Sequence, residues 1–186
     1  MQKELYRNVF KKGLIMNGKL IIKPYSHTYA EIILGWTNNN IDTFYRWSAC
    51  VLGTYPIDCD MFNERIKELK SSKLFYPYVV KLEDEVIGFF TLRYKVESVN
   101  DLTIGFVIID QKYRGCGYGE KMLDLAINLA FNKYKSDSVN LRVFKDNIAA
   151  YKCYKKCGLK ENGIKDSYEI LGEKWDVIEM QLKNNN

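Results

Sequence analysis

Along this 186-residue chain the apolar positions follow two periods, and the change of period marks the elements. Leu20 to Lys23 is a short β-like run ended by Pro24, which cannot donate to a sheet ladder. Tyr29 to Trp36 has apolar residues at helical spacing, and Asp58 to Leu69 reads as a second helix. Asp58 or Asp60 would cap that helix, with Met61, Phe62, Ile66 and Leu69 as its apolar stripe. Tyr78 to Leu82 and Val86 to Arg93 are β-rich runs joined by Glu83-Asp84-Glu85, the pattern of a hairpin. Leu102 to Ile109 is a further β-rich run.

Lys121 to Tyr134 predicts a long helix. Asp124, Asn128 and Asn132 form a polar stripe, while Met122, Leu123, Ala126, Ile127, Leu129 and Ala130 give a broad apolar face. Val139 to Val143 reads as a short strand, and Asn147 to Cys157 as a helix stopped by Gly158, which suits a left-handed terminal turn. Trp175 to Leu182 is a final strand, paired with Tyr168 to Leu171 across Gly172. The order is strand, two helices, three strands, helix, strand, helix, strands. That predicts an α/β fold, a mixed sheet covered by helices. No linker or internal repeat divides the chain, so residues 1–186 read as one domain with a frayed tail at Asn184 to Asn186.

Composition narrows the class without naming a function. Hydrophobic residues make up 47% and charged residues 27%, as in an ordinary soluble domain. The net charge of +5 favours an anionic partner. The start, Met-Gln-Lys-Glu-Leu-Tyr-Arg, lacks a signal-peptide pattern, and no apolar run is long enough to span a membrane. Five cysteines at irregular spacings, with no C-x-x-C pair and a single histidine, argue against a disulfide framework and a zinc site. Reduced thiols in a cytoplasmic protein are the expectation.

The chemistry begins at Arg114-Gly115-Cys116-Gly117-Tyr118-Gly119, between a strand and the long helix. Glycines let backbone turn tightly and approach a ligand. The free N–H groups and dipole at the helix start then favour an anion such as phosphate. The spacing excludes a P-loop, because Gly119 is followed by Glu120-Lys121-Met122 instead of Lys and Ser or Thr. It excludes a dinucleotide fingerprint too, since G-x-G-x-x-G counted from Gly115 ends on Glu120. What fits is R-x-x-G-x-G, with Arg114, Gly117 and Gly119.

Downstream, Asn147, Ala150 and Tyr154 are offset by three and seven residues and share one helix face, ahead of Lys156-Cys157-Gly158-Leu159. Together the two motifs resemble the GNAT superfamily of acetyl-CoA-dependent N-acetyltransferases. About sixty residues, within 102–159, carry the resemblance. Leu159 stands where the family usually has Phe, and Cys116 occupies a position the family leaves free.

The resemblance implies a mostly antiparallel sheet, splayed at the CoA site and flanked by helices. It implies that acetyl-CoA is the cosubstrate, with no metal. The amides of Arg114, Gly115, Cys116, Gly117, Tyr118, Gly119 and Glu120 would bind its pyrophosphate. Val107, Ile108 and Ile109 would pair with pantetheine like an added strand. Asn147 would lie beside the pantetheine arm, and Tyr154 would protonate the departing thiolate. The strand position where some relatives carry a Glu base is here Thr103, which leaves Asp101 and Glu97 as candidates. Aromatics such as Tyr45, Trp47 and Tyr55 are candidates for the acceptor pocket.

The expected reaction is acetyl transfer from acetyl-CoA to a primary amine, by a monomer or homodimer. Two readings stay open on sequence alone. One is a catalytically inactive CoA-binding regulatory module. The other, a nucleic-acid-binding protein, is disfavoured because the lysines of the second motif, with no recognised nucleic-acid motif beside them, read better as a solvated helix face.

Overall fold

A computed structural model of the chain describes residues 19–37, 39–72, 74–95 and 98–184. They form one seven-stranded sheet with helices on both faces. In chain order the elements are β1 (Leu20–Pro24), α1 (Ala30–Gly35), α2 (Ile41–Ser48), α3 (Cys59–Ser71), β2 (Phe75–Leu82), β3 (Glu85–Lys95), β4 (Ser98–Ile109), α4 (Tyr118–Asn128), β5 (Ser138–Phe144), α5 (Ile148–Lys156), β6 (Lys160–Ile170) and β7 (Glu173–Lys183). The strand order is β1-β2-β3-β4-β5-β7-β6. Every neighbouring pair is antiparallel except β4 and β5. Parallel neighbours need a crossover, and α4 supplies it.

The central strands read as continuous apolar runs because both sheet faces are covered. On β3, Ile87, Phe90 and Leu92 pack toward α4 and α5, whereas Phe89 packs toward α1, α2 and α3. Successive side chains point to opposite faces, so neither is left for solvent. Burying each large apolar side chain stabilises the fold by roughly 1.5–3 kcal/mol.

Three features depart from the sequence reading. Between β1 and β2 the described residues hold three α-helices instead of two, the addition being α2. Asn40 caps α2, its side chain accepting from the Thr43 amide at 2.8 Å. In α3 Asp58 is the cap, accepting from the Met61 amide at 2.8 Å. Met61 is then turned outward, 52% exposed, while Phe62 and Ile66 carry the buried stripe. At the C-terminus Asn184 is held, not frayed: its amide donates to the Asp137 carbonyl at 2.8 Å. Asn185 and Asn186 lie outside the described residues.

The long helix meets its expectation, starting at Tyr118 and continuing as a π turn over Leu129–Lys133, with Asp124, Asn128 and Asn132 exposed. Both hairpins close where expected, through Glu83-Asp84 and Leu171-Gly172.

Candidate active site

The site is made where β4 and β5 part. The two strands pair only over Asp101–Thr103 and Ser138–Asn140. Beyond Thr103 the facing backbone edge of β4 has no strand partner. A second feature bends β4 at the same place. Phe106 has φ of +47° at a bulge that breaks the β3 register between Phe89 and Thr91. Such a conformation is uncommon for a bulky residue, and bulges re-aim backbone groups beside sites. It is held from outside the sheet, since the Trp47 indole N–H donates to the Phe106 carbonyl at 2.8 Å.

The opening is a cavity of about 570 Å³. Gly105, Phe106 and Val107 line it from β4, Leu141 and Val143 from β5, and Asn147, Ala150 and Tyr154 from α5. The three α5 positions therefore reach one wall, as their spacing predicts. Asn147 also caps α5, its side-chain oxygen accepting from the Ala150 amide at 3.2 Å. Tyr154 is buried, 7% exposed, and its hydroxyl has no hydrogen-bond partner among the described residues. Burial raises its phenol pKa well above the ordinary value, with smaller contributions from Cys153 and Cys157. The phenol thus stays protonated across the physiological range.

The glycine turn stands at the far end of β4. Gly115 has φ of +76° and Gly117 of +80°, a region that side chains rarely adopt, and open space surrounds both. Gly117 is the N-cap of α4 and offers no side-chain acceptor to the first turn. The leading amides thus face outward for an incoming anion.

The turn's side chains are occupied elsewhere. Arg114 Nε donates to the Ile109 carbonyl at 2.9 Å and ties the turn to the end of β4. Desolvation lowers the Arg114 pKa, against a smaller rise from Asp110. Tyr118 is 2% exposed and packs edge-on to Tyr113. Glu120 pairs with Lys156 at 2.6 Å. Cys116 is half-buried, its thiol 3.7 Å from the Arg114 carbonyl. Only main-chain groups of Tyr118 and Glu120 are thus placed to meet a ligand. Ile108 and Ile109 are buried by side chain and pair with Phe89 and Gly88, so of the three β4 residues named from the sequence Val107 alone lines the cavity.

Of the expected base candidates, Asp101 does not reach the cavity. Asp101 accepts from the Ser138 hydroxyl at 2.5 Å and is absent from the lining, because it sits where the strands still pair. Glu97 lies outside the described residues. Thr103 lines the cavity. The carboxylate that lines it is Glu179 of β7, 4% exposed. Its oxygens accept from Arg142 Nε at 3.1 Å and from the Asn162 amide at 2.8 Å.

Of the aromatics expected at the acceptor side, Trp47 lines the cavity, whereas Tyr45 and Tyr55 pack on Phe44. The Trp47 bond to the bulge and the Arg142–Glu179 pair had no sequence signal, since their partners are distant along the chain.

Comparisons with known proteins bear on the family and the fold. A family model described as the acetyltransferase (GNAT) family matches residues 41–159. The spermine/spermidine N(1)-acetyltransferase of Bacillus subtilis strain 168 is 30% identical over 120 residues, covering 62% of this chain and 77% of that one. The L-amino acid N-acetyltransferase of Escherichia coli K12 is 26% identical over 128 residues, covering 68% and 76%. Among solved structures, spermidine N-acetyltransferase from Vibrio cholerae in complex with CoA and spermine superposes with a TM-score of 0.75 at 20% identity, over 88% of this chain and 95% of that one. The same Vibrio enzyme has been solved as a dodecamer, which superposes with a TM-score of 0.69 at 20% identity, covering 88% of this chain and 93% of that one.

Proposed function

The chain belongs to the acetyltransferase (GNAT) family, and on that premise we propose how its residues move the acetyl group. It is an acetyl-CoA-dependent N-acetyltransferase. The observation that carries the residue assignments is the splay, with the Phe106 bulge on one side and Tyr154 on the other.

In the proposed complex the pyrophosphate lies on the amides of Gly115 to Glu120. The pantetheine pairs with the free edge of β4 at Val107. The thioester then reaches the bulge, where the Val107 amide stabilises the oxyanion as the amine attacks. Attack by the neutral amine leaves its nitrogen positively charged; Tyr154 donates its proton to the departing thiolate, and the proton that the nitrogen sheds as the amide forms restores the phenol. Asn147 holds the start of α5 beside the pantetheine. Cys116 takes no part, so the amine attacks the thioester directly.

Glu179 is engaged by two donors and is no free base. The acceptor therefore enters as the neutral amine. The relatives are named for polyamine and for amino-acid acceptors, and both classes present primary amines. We propose in addition a cytoplasmic monomer or homodimer, checked by sedimentation velocity. No described helix is long and apolar enough to cross a membrane.

Hydrogen exchange with and without acetyl-CoA tests the placement. Protection should appear at the amides of residues 115–120 and at Val107. Protection confined to other segments overturns it. Amine-dependent release of CoA thiol tests turnover, and an inactive regulatory module would release none with any amine.

A further inference from the structure

Charge along the cavity bears on which amines enter it. Four lining side chains carry full charge: Arg46, Arg93, Arg142 and Glu179. Arg46 is paired with Asp42 at 2.7 Å and with Asp146 at 2.5 Å, and it covers the Trp175 ring. Arg142 is paired with Glu179 and Asp166, each at 3.1 Å. Arg93 has no ion-pair partner among the described residues and is exposed. Among the described lining residues, the charge left without an ion pair is thus a cation.

Arg93 also has the surroundings of an anion subsite. It stands on β3 directly opposite Thr103 of β4, two residues from Thr91 on the same sheet face. Both threonines line the cavity: Thr91 is buried in its wall, and Thr103 pairs with Arg93 across the two strands. Val51, Leu69 and Phe75 form an apolar wall beside them. Thr103 is three residues from the bulge at Phe106, about 10 Å along the strand. A long arginine side chain and a short acceptor can bridge that gap. A planar guanidinium with free donors fits a carboxylate through two parallel hydrogen bonds. A polyamine would bring a second ammonium into the same space, where the Glu179 oxygens already hold donors.

Resting on the acetyl-transfer reading above, we infer that the acceptor is a primary amine that also carries a carboxylate, an amino-acid-like substrate whose carboxylate docks on Arg93 between Thr91 and Thr103. The relatives named for polyamines do not predict this acceptor.

Matched pairs that differ by the carboxylate alone test it: L-lysine against cadaverine, and L-leucine against 3-methylbutylamine. Calorimetry on the CoA complex of the full chain reads acceptor binding whether or not any amine turns over. In each pair the carboxylate-bearing member should bind about 10- to 100-fold more tightly, the range of a charge-assisted hydrogen bond. Arg93→Ala should bring both ratios close to one, and Arg93→Lys should restore part of the preference. In steady-state kinetics Arg93→Ala should act on KM for the acceptor more than on kcat. Equal or tighter binding of the decarboxylated amine to wild type, or ratios unchanged in a folded Arg93→Ala protein, overturns the inference. Carboxylate-dependent binding without thiol release would instead count against the transferase chemistry and leave the subsite standing.

Discussion

The two faces of the sheet are assembled from different kinds of contact. On the face of α4 and α5, function rests on short-range sequence. A glycine turn opens one helix, and a residue pair two turns apart lines one wall of the next. On the face of α1, α2 and α3, function rests on groups brought together from afar. Trp47 reaches Phe106, Arg46 reaches Asp146, and Arg142 meets Glu179. The proposed cofactor side thus rests on a local backbone solution, which a short motif can encode. The acceptor side is free to change with each long-range contact.

That contrast can be broken or sharpened by substitution. The largest expected effect is at Tyr154. Tyr154→Phe keeps the ring and its packing but removes the proton, so kcat should fall about 10²- to 10⁴-fold. Acetyl-CoA affinity should stay near wild type. A wild-type kcat would take Tyr154 out of the mechanism, and lost CoA affinity with normal kcat would make it a cofactor clamp.

Gly117→Val comes next. A β-branched residue at φ of +80° strains the turn, by about 1–2 kcal/mol. A Cβ there meets nothing within 4 Å, so the side chain would stand in the space proposed for phosphate. CoA affinity by calorimetry should drop by more than about tenfold, beyond 1.4 kcal/mol. Unchanged affinity in a folded variant would move the pyrophosphate elsewhere.

Trp47→Phe crosses between the two faces. It removes the donor to the Phe106 carbonyl, a bond of about 0.5–1.5 kcal/mol. The acceptor-side helix α2 would then prove to set the shape of the cofactor-side bulge, with kcat/KM for acetyl-CoA down roughly three- to tenfold. An unchanged value would mean that the sheet holds the bulge unaided.

The pH profile should be simpler than for an enzyme with a carboxylate or histidine base. The rising limb of kcat/KM should follow deprotonation of the acceptor amine itself. Because the Tyr154 pKa is raised, its donor form persists as pH increases, and no falling limb from it should appear below pH about 10. A rising limb that stays in place when amines of different basicity are compared would reveal a protein base. The smallest effect is expected at Cys116, whose replacement by Ser should leave turnover within about twofold, since direct attack needs no nucleophile of the protein. A trapped acyl-Cys116 would reverse that view.

How much of this was legible varies along the chain. The segment from β4 to α5 could be read because its signals are local: the Gly117 turn, the polar stripe of Asp124, Asn128 and Asn132, and the offset from Asn147 to Tyr154. Helix α2 escaped because its eight residues include Thr43, Phe44, Tyr45 and Trp47, types that favour strands. A helix that short gains its stability from tertiary packing more than from its own sequence. The Phe106 bulge escaped because an extra residue in one strand is defined by its partner strand, not by its own side chain.

The sequence by itself determined the fold class, the glycine turn and the face of α5 that bears Tyr154, since backbone freedom and helical period act over a few residues. Tertiary structure decided the rest. It removed Asp101 from the candidate bases by pairing it with Ser138, and it brought Glu179 into the cavity but engaged both its oxygens. Among the described residues it left Arg93 without an ion-pair partner. Those outcomes depend on which groups become neighbours once distant strands and helices close on one another. The free energy of a charge is set by its partners and its burial, and neither is written at the residue itself.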